Sequence, residues 1–503
     1  MTPSAVDYGD VQGLVRYGYA HMTEARFLLL RVTDPGAARA WLGAAPITTA
    51  QRATPRPVTA LQVAFTREGL QALGVPPWIL QGFSAEFLSG MAGEESRSRR
   101  LGDVGASSPS RWQWGGPGRV PHAIVLLYAE PGRLEPWMRT VTRDPWGTAF
   151  QVLPAPPPSL LDGVEPFGFV DGISQPVLDW ERRRTVGGAD VLQYGNVVSL
   201  GEVLLGYPNE YGKYTDRPLV DRQDDRGAGL PEAEDSPDRS DLGRNGCYLV
   251  VRQLRQDVQG FWQFLGRQAG GDAQAQRALA EAMVGRTLTG EPLLGVGGTP
   301  IPGVDPRNPD DVRYNQFTFD ADVHGTRCPL GAHIRRANPR NADLPGGPAG
   351  LVARLIRTLG FGRTSFREDA IASARFHRIL RRGREYGPWL PAEAARPAGG
   401  DGDGERGLYF VALNGSIARQ FEFVQSAWMM GTKFGGLAEE SDALVGDREP
   451  IPGCPVTSTF SLPQVSGVRR RVTGLPQFVT VRGGAYFFMP GLRALRYLIG
   501  VGG

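Results

Sequence analysis

The chain has 503 residues with 68 Gly and 41 Pro, and 41% of its residues are hydrophobic. This composition predicts a folded protein with unusually much loop, and the length predicts two domains or two fused halves rather than one ordinary core. Because 55 Lys and Arg face 52 Asp and Glu, the net charge of +3 argues against a nucleic-acid coat or a binder of anionic membranes.

Several segments share one local pattern, an apolar strand followed by an amphipathic helix. In chain order, the predicted pairs are a strand over 27–31 with a helix from Asp34-Pro35, a strand over 58–65 with a helix capped by Thr66, a strand over 122–129 with a helix over 134–141, a strand over 247–254 with a helix within 255–267, and a strand over 407–413 with a helix within 416–429.

This interleaving lacks a parallel Rossmann pattern, so it predicts an α+β fold with two similar halves built on antiparallel sheets. The segment 215–245 is polar, charged and nearly free of large apolar residues. We therefore expect an N-terminal half over 1–225 and a C-terminal half over 245–503, with the boundary in this segment.

The cysteines Cys247, Cys328 and Cys454 form no CxxC pair. Their spacing argues against a zinc site or a disulfide framework and suits a reducing compartment. The N-terminal segment has no basic region and no apolar region of an export signal. No apolar run approaches the ~18 residues of a membrane span. A cytoplasmic protein without membrane association is expected.

Only five histidines occur, and His333 lies in the segment CPLGAHIRRANPR (328–340) among several arginines. Positive neighbours keep an imidazole neutral, and a neutral imidazole can bind a metal. No second His or Cys stands at ligand spacing, so a site with several ligands is not indicated. A single-histidine site suits haem, and a hydrogen-bonded loop histidine is the alternative.

Two further segments carry candidate functional groups. Asp171 stands in GFVDGISQP (168–176), where it is either a functional carboxylate or the residue of an Asx turn. Arg381 stands in FHRILRRGREYGP (376–388), where it either stabilises negative charge on a bound oxidant or is a solvated surface arginine.

Together these segments resemble the dye-decolorizing peroxidase family of haem proteins, in its longer bacterial subgroup. GFVDGISQP is similar to the family's Gly-x-x-Asp-Gly signature, with Gly168, Asp171 and Gly172 in place. AHIRRANPR resembles the segment of the proximal haem ligand, which places that ligand at His333. ILRRG resembles the segment of the distal arginine, which implies Arg381 with Arg382 as its competitor. Similarity extends over nearly the whole chain in the expected order.

The resemblance implies two ferredoxin-like halves with a haem b site in the second half. It also implies reduction of hydrogen peroxide coupled to one-electron oxidation of bulky aromatic donors such as dyes and phenolics, with an optimum on the acid side. Asp171 would move the proton of the peroxide and Arg381 would orient it. A protein that handles or binds haem without peroxidase turnover is the alternative.

The roles of four further residues are also expectations. Glu422 is the expected carboxylate partner of the proximal imidazole, because it is the only acid on its helix-forming stretch, and an exposed glutamate of a helix is the alternative. The resemblance implies that Leu408 and Phe410 line the distal side of the haem, with core packing as the alternative. Arg335 is expected to reach a haem propionate.

Overall fold

The computed structural model describes residues 5–158, 163–184, 195–222, 225–294, 312–315, 317–341, 373–395, 404–449 and 457–500. Cys454 lies outside these described residues, and the other two cysteines are buried as free thiols. Among the helices of the described ranges, none is long and apolar enough to cross a membrane.

The described strands alternate with helices along the chain. The strands are β1 Glu24–Val32, β2 Thr59–Phe65, β3 Ala123–Ala129, β4 Phe150–Leu153, β5 Val177–Leu178, β6 Val197–Val198, β7 Leu219–Asp221, β8 Glu232–Ala233, β9 Ser236–Asp241, β10 Cys247–Gln256, β11 Leu380–Arg381, β12 Arg384–Tyr386, β13 Gly407–Asn414, β14 Thr459–Leu462, β15 Arg470–Thr473 and β16 Val479–Met489. The α-helices are α1 Pro35–Ala44, α2 Arg67–Ala72, α3 Pro77–Leu80, α4 Ala85–Ser89, α5 Glu95–Leu101, α6 Leu134–Val141, α7 Trp146–Ala149, α8 Val258–Gln268, α9 Ala273–Val284, α10 His333–Ala337, α11 Ala392–Ala395 and α12 Leu492–Gly500.

The predicted strand-helix pairs are present, and two of the predicted helix starts have the expected caps. Asp34 Oδ1 accepts a hydrogen bond from the N–H of Ala37 at 2.8 Å, and Thr66 Oγ1 accepts one from Gly69 at 3.1 Å. These bonds satisfy amide groups that the first turn of a helix leaves without partners. The predicted helix within 416–429 differs, because it is wound as two π-helical segments, Ala418–Glu422 and Val424–Met429.

One antiparallel sheet of nine strands runs through the molecule, in the order β11-β13-β10-β16-β2-β3-β1-β4 with β12 also paired to β13. The strands β1 to β4 belong to the predicted N-terminal half, and the other five belong to the C-terminal half. The two groups meet where Phe65 of β2 pairs with Phe488 of β16. The predicted α+β class with antiparallel sheets is confirmed, and the two groups of strands are joined edge to edge.

Both faces of this sheet are covered by apolar cores, so side chains alternate between two buried environments. On β13, Tyr409, Val411 and Leu413 pack on one face. Leu408 and Phe410 lie between them in sequence and therefore point to the opposite face, where they line a large cavity.

The segment expected to separate the halves contains a small sheet in the order β7-β9-β8. It is fastened by a buried ion pair in which Arg217 Nε donates to Asp241 Oδ2 at 2.6 Å. The charge of this segment thus includes buried structural pairs as well as exposed polar groups, and the boundary between two halves here stays a prediction.

Candidate active site

His333 is the first residue of α10 and lines the cavity. Its Nδ1 lies 3.1 Å from Oδ2 of Asp442, and the other carboxylate oxygen of Asp442 accepts the N–H groups of Leu444 and Val445, each at 2.9 Å. Burial alone would raise the pKa of Asp442, but the hydrogen-bonded His333 and these amides lower it to about 2. The ionised carboxylate therefore accepts the Nδ1 proton, and the lone pair of the imidazole stays on Nε2.

The electrostatics of the pair also act on His333. Burial lowers its pKa, but the Asp442 carboxylate outweighs burial and raises it above the ordinary value. An imidazole made more basic by a carboxylate on its far nitrogen is the usual arrangement of a metal-binding histidine.

The prediction that Glu422 is the carboxylate partner of His333 is wrong, because that partner is Asp442. Glu422 Oε1 accepts a hydrogen bond from the Tyr486 hydroxyl at 2.9 Å and forms an ion pair with Arg97, whose Nε lies 2.8 Å away. The sequence prediction took the acid on the nearest helix-forming stretch, whereas Asp442 lies in the loop that follows. The local sequence around Asp442 indicates only an Asx turn, in which the side chain of a loop Asp accepts hydrogen bonds from the N–H groups just after it.

Asp171 follows a tight hairpin that begins at Gly163, and its side chain forms an ion pair with Arg381 on the lining of the cavity. The Asp171 N–H donates to the carbonyl of Gly163 at 3.2 Å, and Arg381 Nη1 lies 3.4 Å from Asp171 Oδ1. The backbone turns on either side of Asp171 require glycine, because Gly168 has φ +103° and Gly172 has φ +78°. These glycines shape the backbone and are not among the residues that line the cavity.

The two neighbouring arginines of the ILRRG segment point in opposite directions. Arg381 lines the cavity, where its Nη2 donates to the Ser174 carbonyl at 3.2 Å. Arg382 instead donates to the carbonyls of Leu14 at 3.0 Å and Val15 at 3.3 Å. The period of two along a strand places successive side chains on opposite faces. Of the two candidates, only Arg381 meets Asp171.

The cavity, together with its open mouth, contains about 1890 Å³ of empty space. Much of its lining is apolar, and that part includes Ile173, Ile379, Leu408, Phe410, Val424 and Met429. The side chains of Asp171 and Arg381 are 38% and 33% exposed, so a small molecule in the cavity can reach both.

Three arginines, Arg286, Arg340 and Arg381, line the cavity. Arg286 is buried and donates to two neutral carbonyls, those of Gly290 at 2.7 Å and Tyr314 at 3.2 Å. Burial, followed by the positive charges of Arg340 and Arg381, lowers the pKa of Arg286 to about 9. This grouping of guanidinium groups suits a ligand with negatively charged substituents.

Arg335 is not part of that wall, so the expectation that it reaches a haem propionate is wrong. It is 3% exposed and points into the protein. Its guanidinium donates to the Cys328 carbonyl at 2.8 Å and to the Asp322 carbonyl at 2.9 Å, and it lies over the Phe319 ring. Although it follows His333 by only two positions on α10, Arg335 faces away from the side that carries His333.

No protein-family model matches the chain. Dye-decolorizing peroxidase AauDyP1 of Auricularia auricula-judae is 27% identical over 523 residues, which cover 98% of this chain and 87% of that protein. Dye-decolorizing peroxidase msp1 of Mycetinis scorodonius is 28% identical over 514 residues, with the same two coverages. The crystal structure of a fungal DyP-type peroxidase from Auricularia auricula-judae superposes with a TM-score of 0.72 at 26% identity, over 99% of this chain and 100% of that one.

The chain is similar to dye-decolorizing peroxidases in sequence and in fold over nearly its whole length. Dye-decolorizing peroxidases are haem b enzymes, and this similarity identifies the chain as a haem peroxidase. The expected placement in a longer bacterial subgroup is not borne out, because the relatives matched over nearly the full chain are fungal. The bacterial multifunctional dye peroxidase DyP2 of Amycolatopsis sp. is 29% identical, over 67% of this chain and 61% of its own length.

The cavity fits haem b by the chemistry of its walls. It offers one imidazole whose Nδ1 is engaged by a buried carboxylate, apolar surface for a flat macrocycle, and guanidinium groups for two propionates. Within the described part of the chain, no cluster of three or more His, Cys, Asp or Glu is arranged to hold a metal ion. A single histidine ligand to a prosthetic group agrees with this donor set.

Proposed function

We propose that this peroxidase reduces hydrogen peroxide with Asp171 and Arg381 as its distal pair, and that it oxidises bulky aromatic donors in one-electron steps. One observation carries the proposal. The same cavity is lined by His333 and by the ion pair of Asp171 with Arg381. When bound, haem b would supply the redox chemistry, in which peroxide gains two electrons and each donor molecule loses one.

On one wall, His333 would hold the cofactor through Nε2. The ionised Asp442 keeps the proton on Nδ1, so Nε2 stays free to bind. Because Asp442 is fully buried and also tied to two backbone amides, the imidazole ring has one preferred orientation.

On the other wall, Asp171 would accept the proton of one peroxide oxygen and deliver it to the other. The departing oxygen then leaves as water while the O–O bond breaks. Arg381 would orient the peroxide and stabilise the negative charge that develops on it. Its backbone N–H donates to Gln175 Oε1 at 2.9 Å, which fixes the strand that presents it.

Phenolic donors are supported by a relative of the same fold. A dye-decolorizing peroxidase that superposes with a TM-score of 0.71 at 24% identity has been solved in complex with 2,6-dimethoxyphenol. In this chain, the apolar part of the cavity lining favours aromatic molecules over small polar ones.

The test begins with the protein reconstituted with haem b, mixed with hydrogen peroxide, and followed by visible spectroscopy with and without an aromatic dye. A fast spectral change that the dye reverses, with repeated dye turnover, is the expected result. A stable, unchanged Soret band would favour the alternative, a haem-binding protein without turnover.

Variants assign the roles separately. His333→Ala should lose the Soret band, whereas the exposed His324→Ala should keep it. Asp171→Asn and Arg381→Ala should keep the band and lose the fast reaction with peroxide, and Arg139→Ala on the surface of α6 is the matched control for the arginine. Normal peroxide reaction in both distal variants would refute the proposed pair.

A further inference from the structure

Glu165 is another carboxylate of the cavity wall, and it lies inside the hairpin that leads to Asp171. Its backbone N–H donates to the Phe169 carbonyl at 2.9 Å, and its own carbonyl accepts the N–H of Gly168 at 2.8 Å. Val164 and Val170 form a β-bridge across the same hairpin. The chain therefore folds back on itself immediately before Asp171.

The carboxylate of Glu165 accepts three hydrogen bonds, and two of them come from backbone amides of this hairpin. Oε1 accepts the N–H of Phe169 at 3.1 Å, and Oε2 accepts the N–H of Phe167 at 3.1 Å. Oε2 also accepts a hydrogen bond from Nε2 of Gln256 at 2.7 Å. Gln256 is the last residue of β10, so this third bond fastens the hairpin to the central sheet.

Glu165 has no ion-pair partner among the described residues. Burial raises its pKa to about 7, and the negative charge of Asp171 adds to that rise, although the three N–H donors act in the opposite direction. Because no cation of the described ranges pairs with this buried carboxylate, its charge is stabilised by those three hydrogen bonds. The same bonds stabilise the fold of the hairpin.

We propose that Glu165 is the positioning residue of the distal wall: it fixes the hairpin 163–171 to β10 and thereby holds the Asp171 carboxylate against Arg381. The inference rests on the proposed distal role of Asp171 and extends it to a residue that does not itself move the peroxide proton. Loss of the Glu165 bonds should displace Asp171 and leave the His333 wall unchanged.

Glu165→Gln is the sharpest perturbation because it conserves shape. One oxygen remains an acceptor, but the new NH₂ group faces an N–H donor that it cannot bond. Glu165→Asp keeps the charge and shortens the reach by one methylene, so it is the second variant if the Gln variant does not fold.

The matched control is Glu234→Gln. Glu234 is also a carboxylate with several donors, since it accepts bonds from Arg182 and Arg244 and from the Tyr214 hydroxyl. Neither Glu234 nor these three partners lines the cavity.

The experiment compares the haem-loaded proteins in three measurements. Hydrogen exchange at the amides of Phe167, Phe169 and Asp171 should be about 10-fold faster in Glu165→Gln. A crystal structure of the variant should show the Asp171 carboxylate moved out of hydrogen-bond reach of Arg381. The rate constant for reaction with peroxide should fall about 10- to 100-fold, while the Soret band and the KM for dye stay as in the wild type and the control.

Two results would overturn the proposal. Unchanged exchange, with Asp171 still beside Arg381, would show that Glu165 positions nothing, even if the peroxide rate falls. A displaced Asp171 with an unchanged peroxide rate would show that the position of this carboxylate does not matter. A wild-type holoprotein that fails to react with peroxide refutes the proposed function instead, and the exchange and crystal measurements still decide the placement.

Discussion

Replacing Asp442 by Asn should weaken haem binding without disturbing the loop that carries the residue. Asn keeps the oxygen that accepts the N–H groups of Leu444 and Val445. Its NH₂ group replaces the oxygen 3.1 Å from His333 Nδ1 and favours the opposite tautomer of the imidazole, in which the proton occupies Nε2. The lone pair needed for the iron is then on the wrong nitrogen.

The magnitude follows from two sources. Loss of a carboxylate behind a metal-binding histidine typically lowers metal affinity about 10- to 100-fold, or about 1.4–2.7 kcal/mol. Without haem, the pKa of Asp442 near 2 against its ordinary 3.8 corresponds to about 2 kcal/mol of stability. Because the folded-state pKa is depressed, this stability is present above about pH 4 and is lost as the pH falls through about 2.

The assay is a titration of the apoprotein with haem, followed by the Soret band, for wild type, Asp442→Asn and Glu422→Gln. We expect weaker binding only in Asp442→Asn, since Glu422 contacts Tyr486 and Arg97. Urea unfolding of the apoproteins from pH 2 to pH 7 should show the stability gap between wild type and Asp442→Asn closing toward low pH. Equal haem affinity in the two variants would refute the assignment of Asp442.

Asp171→Asn should lower kcat/KM for peroxide about 10²- to 10⁴-fold at every pH, as measured by stopped-flow mixing. In the wild type, dye oxidation should be fastest below neutral pH, and an optimum above pH 7 would count against Asp171 as the proton carrier. Gly172→Ala should reduce the free energy of unfolding by about 1–2 kcal/mol in urea, because a side chain is strained at φ +78°. Asp103→Ala should reduce it by about 3–5 kcal/mol, because it leaves the buried guanidinium of Arg252 without its charged partner. A decrease under 1 kcal/mol in that denaturation curve would show that the Asp103–Arg252 pair is dispensable.

Local patterns in the sequence predicted part of the framework around the site. Periodicity and capping residues located the five strands β1, β2, β3, β10 and β13 and the helices that follow them, since these depend on neighbours a few positions away. The same alternation explains why Leu408 and Phe410 line the cavity while Tyr409 between them does not.

The incorrect expectations involve tertiary contacts that periodicity and capping patterns do not record. Asp442 is 109 positions from His333, and no local pattern relates them. The inward direction of Arg335 depends on Asp322 and Cys328, which α10 meets only in the folded chain. The edge pairing of Phe65 with Phe488 likewise joins positions that periodicity treats separately.

The hydrogen bonds of Arg382 connect the N-terminal segment around Leu14 and Val15 to the strand of the distal arginine candidate. By donating to the carbonyls of Leu14 and Val15, Arg382 ties the N-terminal segment to the residue next to Arg381, the arginine proposed to orient peroxide. A truncation or fusion that pulls this segment away would therefore damage reactivity before it damaged cofactor retention. Engineering of this enzyme should treat its N-terminus as part of the catalytic scaffold and place affinity tags elsewhere.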